Sequence, residues 1–181
     1  GPAMLRVAGR VGDGVRLHSF CTQRYMNEVC MGHINDGLAQ SGRVREDIEV
    51  HGGGFVAMGE DEETVEKMVD AVRYRVGFYG STRTYFPVWE LYGLEDLGLK
   101  LHQLVADGKW DQIAGEVSDD VVRLFAAVGT YDTIASAIEE RFQGADSLRL
   151  GFPDGTAPEF KRDLVKDLQR IETPFKGRDT K

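Results

Sequence analysis

The sequence predicts an α/β fold with about three parallel strands among many helices. Two observations predict it. Segments of helical period alternate with short extended runs, in the order helix, strand, helix, strand, helices, strand, helix. Alternation of this kind marks parallel α/β units. Glycine accounts for 22 of 181 residues, above the usual ~7%, and glycines in an ordered chain mark tight turns and close backbone approaches. Three strands are too few to close a barrel, because an eight-stranded β/α barrel typically takes about 250 residues.

Met4 to Arg10 is a short amphipathic helix, broken by Gly9, Gly12 and Gly14. Val15-Arg16-Leu17-His18 alternates like a short strand. Thr22 is a suitable N-cap for a helix to about Gln40. Tyr25, Met26, Val29, Cys30, Ile34 and Leu38 form its apolar stripe, and Gly42 supplies the stop. Ile48 to Met58 is a second strand with Gly52-Gly53-Gly54 inside it, a triplet that lets another backbone or a ligand come close. Glu60-Asp61-Glu62-Glu63 opens a helix at the dipole end that favours acids, and this helix ends near Phe78-Tyr79-Gly80-Ser81. Residues 82–128 read as an insertion of short helices rich in large apolar side chains. Thr130 to Phe142 is a helix, Ser147 to Phe152 a third strand, and Ala157 to Ile171 a final amphipathic helix. The expected organisation is one partial domain over 1–172 and a disordered tail over 173–181.

Composition excludes several classes. The formal net charge is -8, and an acidic surface repels phosphate backbones, so nucleic acid is not an expected partner. No apolar run approaches the ~20 residues of a membrane helix, and no basic n-region precedes an apolar core as in a signal peptide. Cys21 and Cys30 cannot build a disulfide framework and fit a reducing cytosol.

His18 and Ser19 follow the first strand, and ligands gather at strand C-termini in parallel α/β folds. The plainer role for a lone histidine is a hydrogen-bonded structural residue. His33, His51 and His102 show no metal-ligand spacing with each other or with the cysteines, so no metal site is expected. The cysteines, nine apart without an obvious base, do not point to thiol chemistry. Gly12-Asp13-Gly14 fits a turn or support at a barrel entrance. No P-loop, GxSxG or GxGxxG occurs, and the glycine triplet is not a dinucleotide fingerprint. Phe78-Tyr79-Gly80-Ser81-Thr82 followed by Tyr85 is the densest polar-aromatic cluster. It fits a helix C-cap against the insertion or a lid over a ligand pocket. Trp89 and Trp110 are expected in the core.

The stretch Gly1-Pro2-Ala3-Met4 through His18 resembles the segment after the fifth barrel strand in luciferase-like monooxygenases, most nearly their F420-dependent oxidoreductase branch. Phe78-Tyr79-Gly80-Ser81-Thr82 with Tyr85 is similar to that branch's F-Y-G-S-T-P-x-Y pattern. Gly129-Thr130 and Thr173-Pro174-Phe175 also fit. Arg83 stands where the family has proline, and Gly12 where it has alanine. Gly1-Pro2 matches the family's G-P-x-M loop, or else is a protease-cleavage remnant of an expression tag.

The resemblance implies the C-terminal part of a TIM (β/α)8 barrel, holding its sixth to eighth strands and incomplete as a barrel alone. It implies coenzyme F420, with FMN as the alternative, and hydride transfer at the cofactor ring. Gly1, Ala3 and Met4 would then cradle the cofactor phosphate. His18 and Ser19 would face the ring, and Tyr79, Ser81 and Tyr85 would line the side of a small-molecule substrate. A catalytic residue is not assigned. Open sheet edges lead us to expect a homo-oligomer or association with the N-terminal half. A shortened, non-enzymatic paralogue acting as an oligomeric scaffold or ligand-binding module is the rival expectation.

Overall fold

The computed structural model describes residues 1–176. Helix α1 (Pro2–Val11) leads into strand β1 (Gly14–Arg16). A π-wound stretch, Tyr25–Cys30, runs on into α2 (Met31–Gln40). Strands β2 (Glu49–His51) and β3 (Phe55–Gly59) precede the long α3 (Glu62–Gly80). Short helices α4 (Phe86–Glu90), α5 (Glu95–Ala106) and α6 (Asp119–Phe125) lead to β4 (Ala126–Thr130). Helices α7 (Ile134–Arg141) and α8 (Pro158–Leu168) complete the order.

All pairing among these strands is parallel. β1 pairs with β2, Gly14 opposite Glu49, and β3 pairs with β4, Phe55 opposite Ala126. The expected run Ile48 to Met58 is therefore divided between two sheets. Gly54, at φ +137°, makes the break. Side chains other than glycine's rarely adopt that conformation.

Several starts and stops follow the sequence closely. The Thr22 hydroxyl accepts the Tyr25 amide at 3.0 Å, as an N-cap should. Asp61 accepts the Thr64 amide at 2.8 Å and caps α3. Other expectations are corrected. Ser147 to Phe152 is not a strand: only Ser147 bridges to His51, because its partner β2 ends there at the glycine triplet. Leu148, Leu150 and Phe152 instead pack on the apolar cluster beneath α7 and α8. Residues 126–128, assigned above to the helical insertion, belong to β4. Trp110 is 42% exposed rather than in the core, whereas Trp89 is fully buried. Of the expected tail, Phe175 donates its amide to Asp146 at 2.8 Å, and residues 177–181 lie outside the described residues.

Three apolar clusters hold the fold. Leu17, Met26, Ile34, Leu38, Ile48 and Val50 join the β1–β2 sheet to α2. The β3–β4 sheet is covered on both faces, as parallel sheets usually are. Phe55, Ala57 and Ala126 face Val72, Val76, Trp89 and Phe125. Met58 and Ala127 face Ile134, Ile138, Phe142 and Leu164. Between the clusters lies Arg141, 7% exposed. It donates to the carbonyls of Cys21 and Phe125, the latter at 3.1 Å. Burial pushes its pKa down to about 10, which still leaves it charged at neutral pH.

Candidate functional site

His18 stands just beyond the C-terminal end of β1, and two tyrosine side chains and a backbone amide fix its ring. The Phe20 amide donates to its Nδ1 at 3.0 Å. With that nitrogen accepting, the neutral ring carries its proton on Nε2. Nε2 lies 3.2 Å from the Tyr85 hydroxyl oxygen, so His18 donates and the phenolic proton is left for a ligand. The His18 and Tyr85 rings stack at 4.8 Å, and Tyr79 meets His18 edge-on at the same distance. Burial holds the imidazole below its ordinary pKa and favours this neutral form.

The cluster rests on the core. Phe20, next but one to His18, stacks on Phe125 at 4.5 Å and meets Trp89 edge-on at 5.1 Å. A Cβ on Gly53 would press on the His18 carbonyl and meet the Cys21 Cβ at 2.7 Å. One glycine of the triplet thus lets the β2–β3 turn seat the loop that carries His18.

The structure brings His18, Tyr79 and Tyr85 together, with Ser19 beside them in the chain. Ser81 faces elsewhere. It is buried, and its hydroxyl donates to the Phe78 carbonyl at 2.7 Å, closing the last turn of α3. Gly1, Ala3 and Met4 lie at the start of α1, which packs on α2. There the Gly1 carbonyl accepts the amides of Met4 and Leu5, and Pro2 has none. Ala3 is left to offer the amide of that turn.

Cys21 and Cys30 are free and buried. The Cys30 thiol, and then burial, push the Cys21 thiol well up, which suits a packed thiol rather than a nucleophile. Among the described residues, no group of three or more His, Cys, Asp and Glu side chains could hold a metal ion. Nor is any described helix long and apolar enough to cross a membrane.

Sequence reasoning missed a second group. Arg16, His51, Arg75 and Arg149 line one cavity of about 460 Å³, with Ser19 at its rim. Only the alternation of Val15-Arg16-Leu17-His18 hinted that Arg16 and His18 share a face.

Parallel strands clothed by helices, with a His–Tyr cluster at a strand's C-terminal end, define a β/α-barrel type of scaffold. The chain belongs to the luciferase-like monooxygenase family, whose match runs over residues 1–147. An uncharacterized protein of Mycobacterium tuberculosis is 39% identical over 144 residues, covering 80% of this chain and 42% of that protein. The 5,10-methylenetetrahydromethanopterin reductase of Methanopyrus kandleri is 27% identical over 169 residues, covering 91% of this chain and 46% of the reductase. The solved coenzyme F420 dependent tetrahydromethanopterin reductase from the same organism superposes with a TM-score of 0.70 at 26% identity, over 91% of this chain and 46% of that one. The chain thus spans a little under half the length of these relatives.

Proposed function

We propose that this chain forms the C-terminal part of an oxidoreductase that uses coenzyme F420, FMN being the alternative, on a small-molecule substrate in the cytosol. The observation that carries the reading is the His18–Tyr85 pair beyond β1, in a chain similar to an F420 dependent reductase over 91% of its length. The side chains present fit a planar, partly polar ring: three aromatic groups meet at 4.8 to 6.2 Å, with the phenolic protons of Tyr79 and Tyr85 unclaimed among the described residues. When bound, the cofactor supplies hydride transfer at its ring. His18 and Ser19 face that ring, while Tyr79 and Tyr85 shape the substrate side and shed water. Ser81 supports them by closing α3. The start of α1 receives the cofactor phosphate through Ala3, with Gly1 and Met4 shaping the turn.

The test is a fluorescence titration of the protein with F420 and, separately, FMN. Saturable quenching by F420 that weakens in Tyr85→Phe supports the reading. Preference for FMN moves it to the flavin alternative, and binding of neither ends it.

Open strand edges favour a second element of the proposal. Among the described residues β1 pairs only with β2, and β4 only with β3. Unpaired edges recruit further strands, so the sheet is completed by other chain: a longer polypeptide or a second copy. If two copies associate and neither cofactor binds, the non-enzymatic scaffold becomes the better account. A monodisperse monomer in light scattering would remove the second copy.

A further inference from the structure

The cavity of about 460 Å³ beside the ends of β1 and β2 carries an unusual charge. Its wall draws Arg16 from β1, His51 from β2, Arg75 from α3 and Arg149 from the segment after α7. No aspartate or glutamate lines it, although acids outnumber lysines and arginines by 30 to 22 in the chain. Some arginines elsewhere have carboxylate partners: Arg45 pairs with Asp146, Arg73 with Asp119 and Arg170 with Asp167. Arg16, Arg75 and Arg149 hold no ion pair or side-chain hydrogen bond among the described residues.

His51 is organised at the same wall. The Ser147 hydroxyl donates its one proton to Glu49 at 2.5 Å. In the 3.1 Å contact between His51 Nδ1 and Ser147 Oγ, the imidazole is therefore the donor. Nε2 remains as the ring's place for a second proton. Glu49, the carboxylate close enough to act on His51, is engaged by Ser147 rather than by an arginine.

Arg16, Arg75 and Arg149 are exposed, so water screens much of their mutual repulsion, and an anion between them offsets what remains. Guanidinium groups present forks of donors matched to phosphate oxygens. Three forks arriving from three elements suit the several oxygens of a phosphate better than a lone carboxylate. Gly52 and Gly54 also line the cavity, but a Cβ at Gly52 would meet Ala145 and Phe142 and one at Gly54 would meet Arg141 and the Phe125 carbonyl, so these glycines serve packing.

We infer that this cavity is an anion site for a phosphate-bearing small molecule, with Arg16, Arg75 and Arg149 as its ligands and His51 at its wall. The site goes beyond the function proposed above and stands without it. The phosphate belongs either to a substrate or to the cofactor.

Calorimetric titration of the full chain with inorganic pyrophosphate tests the site. Saturable binding is expected, weakened on the order of tenfold in Arg149→Gln and in Arg75→Gln. Arg16→Lys should weaken it less than Arg16→Gln, and Arg162→Gln on α8 should leave it unchanged. Circular dichroism confirms that each variant is folded. Absence of saturable binding, or equal affinity in Arg149→Gln and Arg162→Gln, overturns the inference. An F420 titration with pyrophosphate present separates the sources: competition assigns the site to the cofactor phosphate and removes that role from the start of α1, and independence assigns it to a substrate phosphate. Pyrophosphate binding with this arginine dependence, but without F420 binding, would keep the site and end the F420 reading.

Discussion

The Trp89 indole N–H donates to the Gly80 carbonyl at 2.9 Å, and the same ring occupies the space where a Cβ on Gly80 would stand. The helix that ends in Phe78-Tyr79-Gly80 is thereby clamped to the core two residues before Thr82. Gly80→Ala should push the indole away and cost about 1–3 kcal/mol, the usual penalty of overpacking. Urea denaturation followed by tryptophan fluorescence measures it. A loss below ~0.5 kcal/mol would mean that the indole moves aside freely.

Arg141 is a buried cation held by carbonyls and by the Phe142 ring, 5.0 Å from its Cζ, and its Nε has no hydrogen-bond partner among the described residues. Removing it strands the Cys21 and Phe125 carbonyls, so Arg141→Ala should destabilise by about 3 kcal/mol. Arg141→Met, which refills the volume, should recover part of that loss. If the two variants prove equally stable, volume is not part of what Arg141 contributes.

Asp146 ties three segments. Its carboxylate accepts from Arg45 at 2.6 Å, from the Val50 amide at 2.7 Å and from the Phe175 amide at 2.8 Å. Asp146→Ala leaves the largely buried Arg45 unpaired and should cost about 3–5 kcal/mol. Hydrogen exchange at Val50 and Phe175 should quicken together. Protection retained at Phe175 would show that the C-terminal segment has another anchor.

Burial holds the His18 and His51 imidazoles below their ordinary pKa, and at His51 the Arg16 guanidinium adds to it. The unfolded chain therefore takes up protons first as pH falls past about 6.5. Stability present above that pH should decline below it, until the folded-state values are passed. Thermal melts between pH 7.5 and 5 should show the decline, and a His18→Gln/His51→Gln double variant should flatten it. An unchanged slope in that variant would assign the effect to other groups.

Much of the candidate site was legible because its cues are local. His18 ends an alternating run, and Tyr79 and Tyr85 flank a helix stop. Ser81 gives its hydroxyl proton to the Phe78 carbonyl, because a hydroxyl at a helix end serves the backbone as readily as a ligand. β4 was hidden because Ala-Ala-Val-Gly-Thr is a small, non-alternating run directly after a helix, as buried parallel strands often are. The arginine cavity is not legible as a site from the sequence, beyond the alternation that puts Arg16 on the His18 face. Its members come from β1, α3 and the segment past α7, and only the fold brings them together.

The parallel pairing of β3 with β4 also sets an order of events. Phe55 and Ala126 stand some seventy residues apart in the chain, and loop-closure entropy must be met before the first ladder bond offsets it. The ladder should therefore form late, after α3 to α6 have collapsed and shortened the span. Refolding should show helical signal well before Arg141, seated on the Phe125 carbonyl at the mouth of β4, is locked in place.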